Sequence, residues 1–447
     1  MATVRLEESM DDLDLLRAEF SEWFGNARTV GVHGQHQTQL QSLGSVLEPA
    51  CAEIRDQLLA RDGDGSVGDA YERCRRADQQ INLLRRLWRW YADRFDQRHD
   101  DTFGDALRAA DEIVWSSWRE MFGPAVHPEG LPPAPLAAIA PVDVATASPR
   151  TEVPQELRAP RDPLLAKWTA AMPIPTITLP SVVVRRPWWL IVAVHECGHQ
   201  AHAEALRSGI AMDATGPALA DAAAAAGAGI DEQESWSLWA GELAADAWAV
   251  TLCGTAPIWS VMELERRSDD RLLESPGRAY PPPLVRWAVA NLVAGGLGLG
   301  AAADEHRGLA DSSPYVGRLL QRAPAVAAAL LDTHLGTTTL RQVGAGTPQW
   351  QVEALRWRTA LPAKAAPFPQ TRVESARLCA AGGALVWQES AGRASGDVAA
   401  ERARLASRLL DVLPNCRPPG RRRAAQATKQ VTAATELVLA DLRSAGW

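Results

Sequence analysis

Lysine is nearly missing from this chain. Of 46 basic residues only Lys167, Lys364 and Lys429 are lysines, and with the many alanines this reads as codon bias more than chemistry. Positive charge does not prevail either. The net charge of -8 and pI near 5.7 argue against a nucleic-acid binder built on a basic face. The six cysteines, Cys51, Cys74, Cys197, Cys253, Cys379 and Cys416, include no CxxC pair. That excludes a disulfide framework and fits a reducing compartment. No apolar run reaches the roughly 20 residues of a membrane span. The longest, Trp287 to Ala303, holds Asn291 and several glycines and reads as a buried helix. The first residues turn acidic at Glu7-Glu8 without a signal-like apolar run, so a cytoplasmic protein off the membrane is expected. Tyrosine and phenylalanine number 4 and 6 against 17 tryptophans, so indole rings should fill much of the core.

With 447 residues, 47% hydrophobic and 22% charged, the chain is long enough for two to four folding units. Residues 1–123 read as helical. Ile81, Leu84, Trp88, Tyr91 and Phe95 keep one helical face apolar beside Arg85, Arg86, Arg89 and Arg94. Residues 124–164 hold ten prolines and read as an extended connector. Residues 165–335 are the richest segment. Within 174–184 the β-branched residues and prolines predict an edge strand or strand pair. A helix is expected from Pro187 to near Gly209, then a mobile loop from Ala218 to Gly229. A second helix should open at Asp231, with Glu234 completing a capping box, and end near Gly254. Residues 336–447 read as helical again, with Arg421-Arg422-Arg423 opening a solvated helix.

The chemistry concentrates in His195-Glu196-Cys197-Gly198-His199. Four residues make about 1.1 helical turns, so both imidazoles leave one face and can meet one ion. Glu196 lies one step round, beside the ion's open position, where it can deprotonate a water. The apolar run Pro187 to Val194 should bury this helix, and Gly198 should admit another segment closely. Cys197 reads as a packing residue and His202 as a partly exposed helix histidine.

A catalytic zinc site needs a third protein ligand. A third histidine six residues after the second is excluded, because that position is Ala205. From Leu238 to Cys253 there are 16 residues and two charges, Glu242 and Asp246, four apart on one helical face. Two carboxylates on an apolar helix need a cation or another partner. Glu242 is therefore the expected third ligand to Zn²⁺. Asp246 is expected to take the free N–H of a ligand histidine, His195 first. Pairing of both acids with arginines elsewhere is the alternative, and Glu232 and Glu234 are substitute ligands.

The pattern His195-Glu196-x-x-His199 followed by Glu242-x-x-Ala245-Asp246 resembles the gluzincin branch of zinc metallopeptidases. The resemblance covers roughly residues 170–290. It implies an α+β, mostly helical, zincin-like core with a small sheet and flanking helical regions. It implies an intracellular endopeptidase that cleaves a peptide or protein substrate with a Glu196-activated water. Relatives often carry a later turn followed by arginine. Here that stretch is Tyr280-Pro281-Pro282-Pro283-Leu284-Val285-Arg286, with tyrosine where histidine is commoner. By resemblance Tyr280 would donate to an oxyanion, and Arg286 would brace the site or hold a substrate carbonyl. His306 and His334 are further oxyanion candidates. A regulatory protein partner is plausible for such a protease, and the other reading is a catalytically silent scaffold or sensor that binds a protein partner through its helical flanks.

Overall fold

The computed structural model describes residues 2–29, 36–60, 66–121, 133–148, 163–172, 174–207, 215–265, 268–300, 307–335, 338–363, 374–391, 397–416 and 428–444. Three long helices open the chain: α1 (Ala2–Thr29), α2 (Gln37–Leu59) and α3 (Val67–Asp96). Ser66 starts α3 with a capping box closed by Asp69, and the expected apolar face from Ile81 to Phe95 is buried. Next come α4 (Gly104–Met121), β1 (Leu136–Ala140), β2 (Thr146–Ser148), α5 (Pro163–Ala171) and β3 (Thr176–Pro180). The site-bearing stretch holds α6 (Val192–Arg207), α7 (Thr215–Ala225), α8 (Ile230–Leu238), α9 (Ala240–Cys253) and α10 (Ala256–Glu265). It continues through α11 (Asp269–Leu272), α12 (Pro283–Gly296) and α13 (Pro314–Leu331) to the two-residue strands β4 (His334–Leu335) and β5 (Thr338–Thr339). The chain closes with α14 (Leu340–Val343), α15 (Thr347–Ala360), α16 (Ser375–Ala391), α17 (Val398–Val412) and α18 (Thr428–Ser444). The fold is thus mostly helical, as expected, with a three-stranded sheet and a separate antiparallel β4–β5 pair among the described residues. No described helix is long and apolar enough to cross a membrane.

Several local expectations give way. The sheet order is β1-β3-β2, so β3 is the central strand and not an edge. Its prolines bracket the strand instead of interrupting it: Pro180 is its last residue, and the carbonyl of Pro175 accepts the amide of Leu136. β1 pairs with β3 in parallel and β2 pairs with it antiparallel, so β3 has a neighbour on each side. Both flanking strands come from the proline-rich 124–164 segment, where five apolar residues free of proline, Leu136–Ala140, suffice for a buried strand. The expected loop at 218–229 is largely the helix α7, because its alanines carry the strongest helix propensity. The second helix is two helices broken at Trp239. Gly229, not Asp231, is the N-cap, without a side-chain hydrogen bond, so the expected capping box is absent. Its predicted end holds, with Gly254 at positive φ closing α9. Arg421, Arg422, Arg423 and His306 lie outside the described residues.

Packing groups the elements differently from chain order. One core joins α1, α2 and α3 to Leu165 and Trp168 of α5 and to Ala434, Val438 and Leu442 of α18. The other joins α4, the sheet and the remaining helices from α6 to α17. Strand β1 lies at the seam, with Leu136 in the first core and Ala137 in the second. A buried ionic cluster stitches this seam. Arg98 holds Asp111 through Nε (2.9 Å) and Nη2 (2.6 Å) and donates to the carbonyls of Arg94 (2.7 Å) and Ala137 (2.9 Å). His36 Nε2 lies 3.0 Å from Asp111, and its Nδ1 lies 2.5 Å from Gln39 Oε1.

Candidate metal centre

Helix α6 is fixed before its histidines appear. Pro187 opens a 3-10 turn, Pro187–Ile191, that runs into α6. Trp188 and Trp189 of that turn pack against Trp387, and Trp189 also against Trp259, with ring centroids 5.5–6.0 Å apart. Farther along, the Gln200 side-chain amide donates to the Thr176 carbonyl at 2.7 Å and ties α6 to β3.

The expected close approach at Gly198 is made by α9. A Cβ on Gly198 would stand 2.7 Å from Ala245 Cα and 3.1 Å from Trp248 Cβ. Only glycine lets the two helices meet this closely. The contact falls between His195 and His199 on one helix and between Glu242 and Asp246 on the other. It therefore sets how far the acids stand from the rings.

The side chains converge at that crossing. His195 Nε2 lies 3.1 Å from His199 Nε2. Glu242 places Oε2 3.5 Å from His195 Nε2 and Oε1 3.4 Å from His199 Nε2. One ligand atom from each of the three residues fits within 4.8 Å of the others. Ligands on a tetrahedral ion with bonds near 2.0–2.1 Å are separated by about 3.3 Å, so these separations suit a divalent metal. Asp246 Oδ1 lies 2.9 Å from His195 Nδ1, close enough for an ion pair but not aligned as a hydrogen bond.

Arg286, on α12, completes the group and is buried. It clasps Asp246 through Nε on Oδ2 and through Nη2 on Oδ1 at 3.0 Å. Its Nη2 also reaches Glu242 Oε2 at 3.2 Å. The two accounts of the acid pair are therefore compatible: both carboxylates face histidines, and both also face one arginine. Glu232 and Glu234 are engaged elsewhere, with Arg318 and Arg278.

Electrostatics follow the geometry. Burial opposes a charge on His195, yet the close carboxylate of Asp246, with Glu242, outweighs it and raises its pKa to about 10. Burial likewise opposes the charge on Glu242, but the two imidazoles hold it well below the usual carboxylate range. Asp246 is lowered too, since Arg286 and His195 outweigh its burial. Glu196 behaves oppositely. Only 6% exposed, it is raised by burial despite the nearby rings. Among the described residues none donates a hydrogen bond to it, whereas Asp246 takes both arms of Arg286, and Glu242 stands 3.2–3.5 Å from Arg286 and the two imidazoles.

The remaining candidates make other contacts. Tyr280 is 44% exposed on the turn before α12, its backbone amide bonded to the Gly277 carbonyl at 3.1 Å. His202 is half-buried, 3.2 Å from Thr215 Oγ1. His334 belongs to β4. Cys197 is buried with its sulfur 4.0 Å from the Val114 carbonyl, and burial pushes its thiol well above the ordinary range, as befits a packing residue. Gln200 was not anticipated; its amide, one residue past the motif, was the available signal. Compared with protein-family models, curated proteins and solved structures, the chain has no significant match.

Proposed function

We propose that this protein is a zinc-dependent peptidase that hydrolyses peptide bonds, with its zincin-like centre at the α6–α9 crossing. The observation that carries this reading is Glu196, a buried carboxylate without a donor among the described residues, beside three converging ligand side chains. Buried acids are ordinarily paired or hydrogen-bonded, and one held otherwise marks a group kept free for proton transfer. A purely structural ion has no use for such a base.

His195 and His199 would hold the zinc through Nε2 and Glu242 through its carboxylate. When bound, the ion supplies Lewis acidity, polarising a peptide carbonyl and acidifying a water. Glu196 accepts the water's proton on its carboxylate and returns it to the leaving amine. Its burial raises its affinity for that proton toward the working range of a general base. Asp246 keeps the His195 ring aimed, and Arg286 keeps Asp246 in place. Tyr280, on the exposed turn, is the proposed donor to the oxyanion that develops on the carbonyl. An extended peptide or protein is the substrate class.

The test is cleavage of a denatured-protein pool by the wild type and by Glu196→Gln, each with its zinc content measured. The reading expects one zinc per chain in both and cleavage by the wild type only. Equal cleavage by both proteins, or none by either while zinc is bound, would overturn it.

A further inference from the structure

Two carboxylates one helical turn apart, Asp246 buried and Glu242 half-buried, need a counter-charge when no metal is present. Glu242 and Asp246 share one. Arg286 holds Asp246 with both arms of its fork, and its Nη2 lies 3.2 Å from Glu242 Oε2 and 3.4 Å from His195 Nε2. Glu242 and that imidazole nitrogen belong to the triangle that would hold the ion. The guanidinium therefore flanks the metal position itself. An arginine does not shed its proton in a protein, so its charge remains when a second cation arrives.

We propose that Arg286 is a resident counter-cation that competes with the metal for Glu242. In the metal-free protein it supplies positive charge to both acids and keeps α9 and α12 together. In the loaded protein the same charge opposes the ion and weakens its binding, which makes the metal exchangeable. The proposal rests on the metal reading above. It gives Arg286 opposite effects on the two forms, which a merely structural arginine would not have. Loss of a structural arginine lowers the stability of both forms alike and leaves zinc affinity unchanged or poorer.

Zinc alone is the probe, added to the full-length wild type, Arg286→Gln and Arg286→Lys. Affinity is read by competition with a chromogenic chelator, and melting temperature is read with and without zinc. Arg286→Gln should bind zinc at least roughly ten-fold more tightly, because a nearby like charge has gone. Its metal-free melting temperature should fall, and the rise on adding zinc should exceed that of the wild type. Arg286→Lys keeps a charge that can pair with Asp246 but lacks the second arm that reaches Glu242. Its affinity should lie between the other two, and it carries the test alone where Arg286→Gln does not fold. Equal or weaker zinc affinity in the variants, with one zinc per wild-type chain, overturns the counter-cation role and leaves the metal reading standing. A wild type that takes up no zinc overturns both.

Discussion

Two His–Asp–Arg groups stand out among the described residues, and they are built for different ends. At the seam between the cores, Asp111 is shared by His36 and Arg98, and Arg98 spends its remaining donors on the carbonyls of Arg94 and Ala137. At the α6–α9 crossing, Asp246 is likewise shared by His195 and Arg286. There the likeness ends. The seam has one acid and one ring, each turned toward protein partners. The crossing adds a second ring, a second acid and a third, donorless one, Glu196. Their protonation also runs in opposite directions. Burial dominates at His36 and lowers its pKa, whereas acid contacts dominate at His195 and raise it to about 10. A satisfied ionic cluster holds structure together, and one with surplus ligands and an unengaged base is suited to bind and react.

The sharpest break in the comparison is removal of a ligand. His199→Ala and Glu242→Ala should lose the zinc and with it all cleavage, while the corresponding change at the seam, His36→Gln, should keep both. Metal content by mass spectrometry decides this, and zinc retained in Glu242→Ala would move the third ligand elsewhere. The next effect is on stability. Asp111→Asn leaves the fully buried Arg98 guanidinium without its acid and should cost about 3–5 kcal/mol in urea unfolding. It should not alter zinc per folded chain. Gly198→Ala is smaller. Its Cβ would press on the backbone of Ala245, and overpacking of this kind costs about 1–3 kcal/mol. Because the strain parts the ligand-bearing helices, zinc affinity should fall along with the melting temperature. An unchanged affinity would show that the crossing does not set the ligand spacing.

The subtlest effect is on pH. In the metal-free protein, the raised pKa of His195 gives stability that is fully present below about 6.5 and is lost as pH rises toward 10. His36 has the opposite sign. The unfolded chain takes up its proton near pH 6.5 and the folded chain resists it, so stability falls as pH drops below that value. Melting curves against pH in the presence of a chelator should therefore lose their alkaline slope in His195→Gln and flatten on the acid side in His36→Gln. Identical profiles for the two variants would contradict the assigned directions.

Much of the candidate centre was legible because its signals are local. The spacing of His195 and His199, the glycine between them, and two acids alone on the apolar helix α9 all belong to short stretches with helical period. Arg286 was visible as a residue, but its double pairing was not, because ion pairs form between segments far apart in the chain. The sheet was misjudged for a related reason. Prolines in 174–184 indicate where backbone donors are missing, and only the pairing with β1 and β2 shows that they stand at the strand's ends. At 218–229 the small residues suggested a loop, whereas the alanines there carry helix propensity and packing against α8 and α13 retains it. The seam cluster gave no warning, since His36, Arg98 and Asp111 have no motif spacing.

The seating of α18 on α2 bears on the order of events during synthesis. Ala434, Val438 and Leu442 close a core otherwise made mostly from the first hundred residues. A nascent chain therefore carries α1, α2 and α3 uncovered along one flank until α18 has been made and has cleared the ribosome. The second core can consolidate in the meantime, so the core of α1, α2 and α3 is sealed after it.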